Sequence, residues 1–176
     1  MAKAKPFIKW VGGKGQLIEQ LEALLPADFA ERENVTYIEP FVGGGAMLFY
    51  MLQTYPNIFF LNRTCFNGLY RVNKAGKFNV PFGKYTTPTI CDSATIYADS
   101  KLLQKVDIMT GDFEQTFAKI EGNTFFYFDP PYRPLSNTSS FNDYTKEDFN
   151  DNAQIRLKLF CDRLNENGIN FMLSNS

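Results

Sequence analysis

Thr124-Phe125-Phe126-Tyr127-Phe128-Asp129-Pro130-Pro131-Tyr132 is the stretch that decides the fold of this chain. Its apolar and aromatic run predicts a buried strand over Thr124–Asp129. The strand stops at an acid, and two prolines then forbid a helix or a continued ladder. A carboxylate, a rigid backbone carbonyl and an aromatic ring are thus held at the carboxyl end of a strand, where open α/β sheets bind ligands. The set suits the planar exocyclic amine of a base. Asp129 accepts one hydrogen, the Pro130 carbonyl the other, and Tyr132 stacks on the ring. Two acceptors draw the nitrogen toward a pyramidal geometry and expose its lone pair to an electrophile. The chemistry is positioning and directed electrostatics, without a metal. An ordinary Asp-Pro-Pro turn is the alternative reading of the same residues. Phe141 and the Ser/Asn/Thr-rich loop 133–142 follow and are placed to form a lid.

Upstream, Val35–Glu39 predicts a strand, Pro40-Phe41-Val42-Gly43-Gly44-Gly45 a sharp turn, and Ala46–Tyr55 a helix. Strand, glycine turn and helix organise a nucleotide-type cofactor loop. The spacing is not G-x-G-x-x-G, so a dinucleotide is not indicated, and a tight βα connection is the plain alternative. Nearer the start, Gly12-Gly13-Lys14 lets backbone approach a ligand and leaves a cation beside it. Its spacing is not that of a phosphate-binding P-loop. Trp10, the single tryptophan, reads equally as a core anchor or a ligand wall. A helix over about 15–25 carries Leu17, Ile18, Leu21, Leu24 and Leu25 on one face and stops at Pro26.

Further along, apolar Ile58–Leu61 leads into Asn62–Arg71, a loop or hairpin with Asn67-Gly68 as its turn, continued by Phe78–Gly83. Arginine, asparagine and rings in one loop are what reading a base edge requires, although a basic solvent loop has the same composition. Asp92 predicts the cap of a helix to about Lys105. Val106–Thr110 predicts a strand ending in Gly111-Asp112-Phe113, an acid and a ring suited to the amine and face of a bound adenine, with Phe113 reading equally as a core residue. Thr145 with Asp148 predicts a capped helix bearing Ile155, Leu157, Leu159, Phe160 and Leu164. It ends near Gly168, and Ile169–Leu173 predicts the last strand.

Composition sets bounds on this reading. With 176 residues the chain suits one domain with its own core. A net charge of −1 provides no global field for nucleic acid, so local charge matters more. Arg63, Arg71, Lys74, Lys77 and Lys84 share 58–85 with no acid, and Lys3, Lys5, Lys9 and Lys14 precede the first one, Glu19. The absence of histidine excludes Ser-His-Asp and Cys-His nucleophiles and His-ligated zinc. Cys65, Cys91 and Cys161 are isolated and read as reduced thiols. No apolar run is long enough to span a membrane and no signal peptide is evident.

Taken in order, PFIKWVGGK (6–14), EPFVGGGA (39–46), NRTCFNGLYRVN (62–73) with FNVPFGKY (78–85), GDF (111–113), DPPY (129–132) and the terminal LSNS make a set. The chain resembles the Dam-like DNA adenine methyltransferases that use S-adenosylmethionine, including modification enzymes protecting GATC sites. The resemblance implies a Rossmann-like methyltransferase sheet with helices on both faces. It divides the chain into a catalytic domain, 1–57 with 86–176, and a DNA-recognition hairpin segment, 58–85. Trp10, Gly12 and Lys14 resemble the segment holding the methionine end of the cofactor, with Pro40, Phe41 and Gly43 the turn beneath it. Asp112 and Phe113 resemble the pair at the cofactor's adenine, and Asp129, which also borders the cofactor, Pro130 and Tyr132 the catalytic set. Arg63, Phe66, Asn67, Leu69, Arg71 and Pro81 resemble the DNA-reading hairpin, and Lys9 a contact to flanking DNA. The implied partner is double-stranded DNA, with adenine flipped into the pocket and no metal. The implied location is the cytoplasm of a bacterial or phage-infected cell.

Two departures accompany the likeness. After the first helix such enzymes supply a second strand ending in an acid for the cofactor ribose, and here Thr54-Tyr55-Pro56-Asn57 runs straight into Ile58. They also continue beyond the Ser-Asn-Ser with a further helix and a closing strand hairpin. Residues are therefore expected to be missing at Asn57–Ile58 and after Ser176, and the strand ending at Thr110 is expected to lack a neighbour on one side. The alternatives to a DNA methylase are an RNA-adenine or protein-amide methyltransferase, or an inactive relic that binds DNA through the hairpin.

Overall fold

The computed structural model describes residues 3–6, 13–55, 59–63, 92–131 and 149–174, with 59–63 as backbone alone. Five parallel strands form its sheet: β1 (Val35–Glu39), β2 (Phe59–Arg63), β3 (Val106–Met109), β4 (Asn123–Phe128) and β5 (Asn170–Leu173), in the order β3-β2-β1-β4-β5. Because all run the same way, the residues following each strand emerge at one edge. Val35 pairs with Asn123 and Ile38 with Phe126; Phe125 pairs with Asn170 and Phe128 with Leu173.

Alternation along the strands splits the core into two faces. Tyr37, Phe125 and Tyr127 join Leu21, Phe29 and the helix residues Met47, Leu48, Met51 and Leu52 on one side. Ile38, Phe126 and Phe128 join Leu157, Phe160, Cys161 and Leu164 on the other. The helices doing this are α1 (Ile18–Glu22), α2 (Ala46–Thr54), α3 (Ser93–Leu103) and α4 (Asp151–Glu166). A sheet covered on both faces needs strands apolar on both faces, and β4 is buried from Thr124 to Phe128. The expected doubly covered α/β sheet is what the chain forms.

Several local expectations are refined. The first helix is one short turn, preceded by a 3-10 turn at Lys14–Gln16. Leu21 is buried, but Leu24 is 71% exposed. The residue before a proline avoids helical backbone, so the chain leaves the helix ahead of Pro26 and Leu24 turns outward. Asp92 caps α3 as expected, accepting from the Thr95 N–H at 3.2 Å. The cap of α4 is Asn150, accepting from Ala153 N–H at 3.0 Å, rather than Thr145. Thr145 and Asp148 lie outside the described residues. On α4, Leu157, Phe160 and Leu164 are buried, whereas Ile155 and Leu159 face solvent.

The largest correction concerns the neighbour of β3. The slot between β1 and β3 is filled by Phe59–Arg63, which pairs Thr36 with Phe59 on one side and Val106 with Phe60 on the other. An apolar run directly after a helix completes a βαβ unit, and its backbone satisfies groups on β3 that an open edge would leave bare. The segment 58–85 therefore begins as sheet, and only its later part is available for a hairpin. The N-terminal arm is anchored too. Lys5 N–H donates to Asp99 Oδ1 on α3 at 2.9 Å, and Gln53 of α2 donates to the Ala4 carbonyl at 2.9 Å.

Candidate active site

Three strand ends converge on the site. Asp129 follows β4, whose last residue is tied by Ser174 N–H donating to the Phe128 carbonyl at 2.8 Å. Lys14, at the opening of the 3-10 turn, reaches Asp129 Oδ1 with its ammonium at 2.8 Å. Lys14 is only 6% exposed and Asp129 21%, so the pair is largely withdrawn from water. Such a pair holds the carboxylate in one orientation.

The turn after β1 lies beside this pair. Gly43 and Gly45 take positive φ, 53° and 75°. A side chain on Gly45 would be strained by that backbone, and its Cβ would stand 3.2 Å from the Phe49 ring. The turn closes with Gly45 N–H donating to the Val42 carbonyl at 2.8 Å, and α2 starts immediately. Gly13, Lys14, Glu39, Gly43, Gly44 and Asp129 line one cleft, with Tyr127 beneath. This is a concave site that brings a glycine turn, the start of a helix and one largely buried ion pair together.

Glu39 was not among the sequence-derived candidates, though it ends β1 as Asp129 follows β4. It is 2% exposed and accepts a hydrogen bond from the Tyr37 hydroxyl at 3.1 Å. Burial pushes its carboxyl well above the ordinary range, the Tyr37 bond opposes this, and the Asp129 charge adds to it. A folded-state pKa above the unfolded value means that the folded chain keeps a proton the unfolded chain releases. Stability contributed by that proton is fully present below the ordinary carboxyl value and is lost as pH rises from there through the raised, folded-state one. Glu39→Gln is therefore expected to raise the urea midpoint at pH 8 and leave it nearly unchanged at pH 4. An equal midpoint at pH 8 would mean that Glu39 is ionised in the folded protein.

On the other side of the sheet edge, Asp112 and Phe113 follow β3. Phe113 is buried, and its ring lies 5.6 Å from that of Phe41 in the turn after β1. Phe41 also meets Phe128 at 6.4 Å and Phe149 at 5.5 Å. Asp112 caps the 3-10 helix Phe113–Lys119 through Glu114 N–H at 3.0 Å. Arg156 of α4, which sequence reading also missed, donates to Asp112 Oδ1 at 2.7 Å.

Of the sequence-derived candidates, Lys14, Gly43 and Asp129 share the cleft, and Phe41 and Phe113 pack together beside it. Pro40 is buried at the base of the turn and Pro130 directly follows Asp129. Arg63 closes β2 at the same sheet edge. Lys9, Trp10, Gly12, Phe66, Asn67, Leu69, Arg71, Pro81, Tyr132 and the loop 133–142 lie outside the described residues. Cys161 is buried, and burial pushes its thiol up to about 11, which leaves it unreactive at neutral pH. Among the described residues, no His, Cys, Asp or Glu cluster is placed to hold a metal, and no helix is long and apolar enough to cross a membrane.

Known proteins match along the whole chain. The model of the family described as D12 class N6 adenine-specific DNA methyltransferase matches residues 10–60 and 52–176. The type II methyltransferase M.MjaIII of Methanocaldococcus jannaschii is 39% identical, covering 99% of this chain and 85% of its own. The type II methyltransferase M1.LlaDCHI of Lactococcus lactis is 32% identical over 98% of this chain and 81% of its own. The DNA adenine methylase of Vibrio cholerae is 28% identical over 99% and 82%. The M.MjaIII match extends over 245 positions against 176 residues here, so the relative carries residues within the matched span that this chain does not. The family model likewise breaks and overlaps at 52–60. From the strand-end carboxylate and glycine turn through to matches spanning both, the chain belongs to the D12 class of N6 adenine-specific DNA methyltransferases and is an enzyme of site-specific DNA adenine methylation.

Proposed function

We propose that this chain transfers the methyl group of S-adenosylmethionine to the exocyclic amine of an adenine flipped out of duplex DNA, at GATC. The observation that carries the reading is the Lys14–Asp129 pair beside the glycine turn, at the edge where β1, β3 and β4 all end. The residues around the cleft suit the cofactor in kind: a left-handed glycine turn carries no side chains that would bar its methionine end, and the Phe41–Phe113 pair is apolar company for its purine. Lys14 and Gly43 would hold the methionine end, and Phe41, Asp112 and Phe113 the adenosyl end. When bound, the cofactor supplies a methyl group activated by a positive sulfonium.

The protein's own part is to bind, orient and draw off charge. Asp129 and the Pro130 carbonyl accept the two hydrogens of the target amine, and Tyr132 stacks on the base. The nitrogen lone pair would thereby be turned toward the methyl donor; transfer would release S-adenosylhomocysteine, and the surplus amine proton would leave along the Asp129 hydrogen bond to solvent, with no covalent enzyme intermediate. Arg63, Phe66, Asn67, Leu69, Arg71 and Pro81, with Lys9, are assigned to the DNA. They provide phosphate contact, a ring to fill the vacated place and an arginine to read guanine. Bacterial or phage DNA in the cytoplasm is the substrate in this reading. The two-part family match and the longer relatives support a stretch missing near residues 52–60, where the ribose acid would stand.

Incubating the purified chain with methyl-labelled S-adenosylmethionine and duplexes that contain or lack GATC tests this. Label on the adenine of GATC alone is expected. Label on RNA, on protein or at unrelated adenines would replace the substrate assignment. A folded chain that binds duplex without accepting label would make it a DNA-binding relic.

A further inference from the structure

Arg156 touches three consecutive residues of the loop after β3. Its Nε donates to Glu114 Oε1 at 3.0 Å, and its Nη2 reaches Asp112 Oδ1 at 2.7 Å and Glu114 Oε2 at 2.9 Å. Its guanidinium carbon also lies 5.1 Å from the Phe113 ring centroid. The residue sits on α4, and its partners are more than forty positions earlier in the chain. No local structure requires this reach. An N-cap would be served by the Glu114 N–H alone, which already meets Asp112 Oδ1.

We infer that Arg156 is a positioning residue for cofactor recognition: it sets the rotation of the Asp112 carboxylate. The inference rests on the assignment of Asp112 and Phe113 to the cofactor's adenine. A carboxylate selects an exocyclic amine only when its acceptor plane is held in place, because a freely rotating one loses the directional bond. Arginine suits this task. Its planar fork grips two carboxylates at once, while its face packs on a ring. The three charged side chains are all between 41% and 47% exposed, so their worth to overall stability is small. Their effect should therefore appear in ligand selection rather than in folding.

Calorimetric titration with S-adenosylhomocysteine and with S-inosylhomocysteine, which lacks the amine, tests the inference without relying on turnover. Arg156→Met is expected to weaken the adenosyl ligand about tenfold, as loss of one charge-assisted bond network would, and to leave the inosyl ligand nearly unchanged. Arg156→Lys should recover part of the loss. Equal weakening of both ligands, or of neither, overturns the positioning role. Asp112→Asn separates the two layers. If it loses amine selectivity while Arg156→Met does not, the adenine assignment stands and the inference falls. If Asp112→Asn keeps full selectivity, the assignment itself fails and takes the inference with it.

Discussion

Asp129→Ala is expected to lower the rate of methyl transfer by about a hundred- to a thousandfold, the usual cost of removing one directed group from a transition-state site. Affinity for duplex DNA should change by less than about threefold, since a surface-edge carboxylate does not contribute attraction to phosphate. The position makes the expectation sharp. Asp129 follows a strand buried on both faces, is followed by two prolines, and is held by Lys14 at 2.8 Å. Among the described residues the other acid lining the cleft, Glu39, is buried and engaged by Tyr37. Single-turnover rates on a GATC duplex, with a gel-shift affinity alongside, separate the two effects. An alanine variant that still methylates at the native rate would remove Asp129 from the chemistry.

Lys14→Met carries the second large effect. Deleting one partner of a largely buried pair costs about 3 kcal/mol, the lower end for such pairs because Asp129 keeps some contact with water. The loss leaves a carboxylate deprived of its near cation, and it sits beside a second buried carboxyl, that of Glu39. Adding Asp129→Asn should restore most of the lost stability, because the pair is then replaced rather than broken. Catalysis should not return in the double variant. Urea unfolding of the two single variants and the double variant measures the coupling. Additive losses would show that Lys14 and Asp129 do not act together.

Much of this was legible in the sequence because the elements follow simple periods. The strands β1 and β4 announce themselves as short apolar runs, and α2 and α3 fall within a residue or two of their expected limits. The acids at strand ends were readable for the same reason, since a charge cannot continue a buried strand. Glu39 escaped because it is itself the last residue of β1 and looks like an ordinary strand terminus; only the fold buries it, in a cleft shared with Ala46 and Met47 of α2. Arg156 escaped because nothing local distinguishes it from any charged residue on a helix. Its partners are brought to it only by the packing of α4 on the sheet. Phe59–Arg63 is not legible as a strand because the apolar run Ile58–Leu61 is too short to carry a period of its own, and only pairing beside β3 makes it one.

The order of the strands also bears on how the chain is made. Val35 and Ile38 find their partners at Asn123 and Phe126, so one side of β1 waits for residues far downstream. At ribosomal speeds of roughly 5–20 residues per second, that edge stays open for several seconds during synthesis. Val35, Tyr37 and Ile38, fully buried in the finished core, are meanwhile available to any other strand or chaperone. Relative contact order is high for the same reason, and refolding should be slow compared with a helical bundle of equal size. Asp129 arrives directly behind the very strand that closes the gap, so the carboxylate proposed to meet the target amine is set in place only as the nascent sheet stops being sticky.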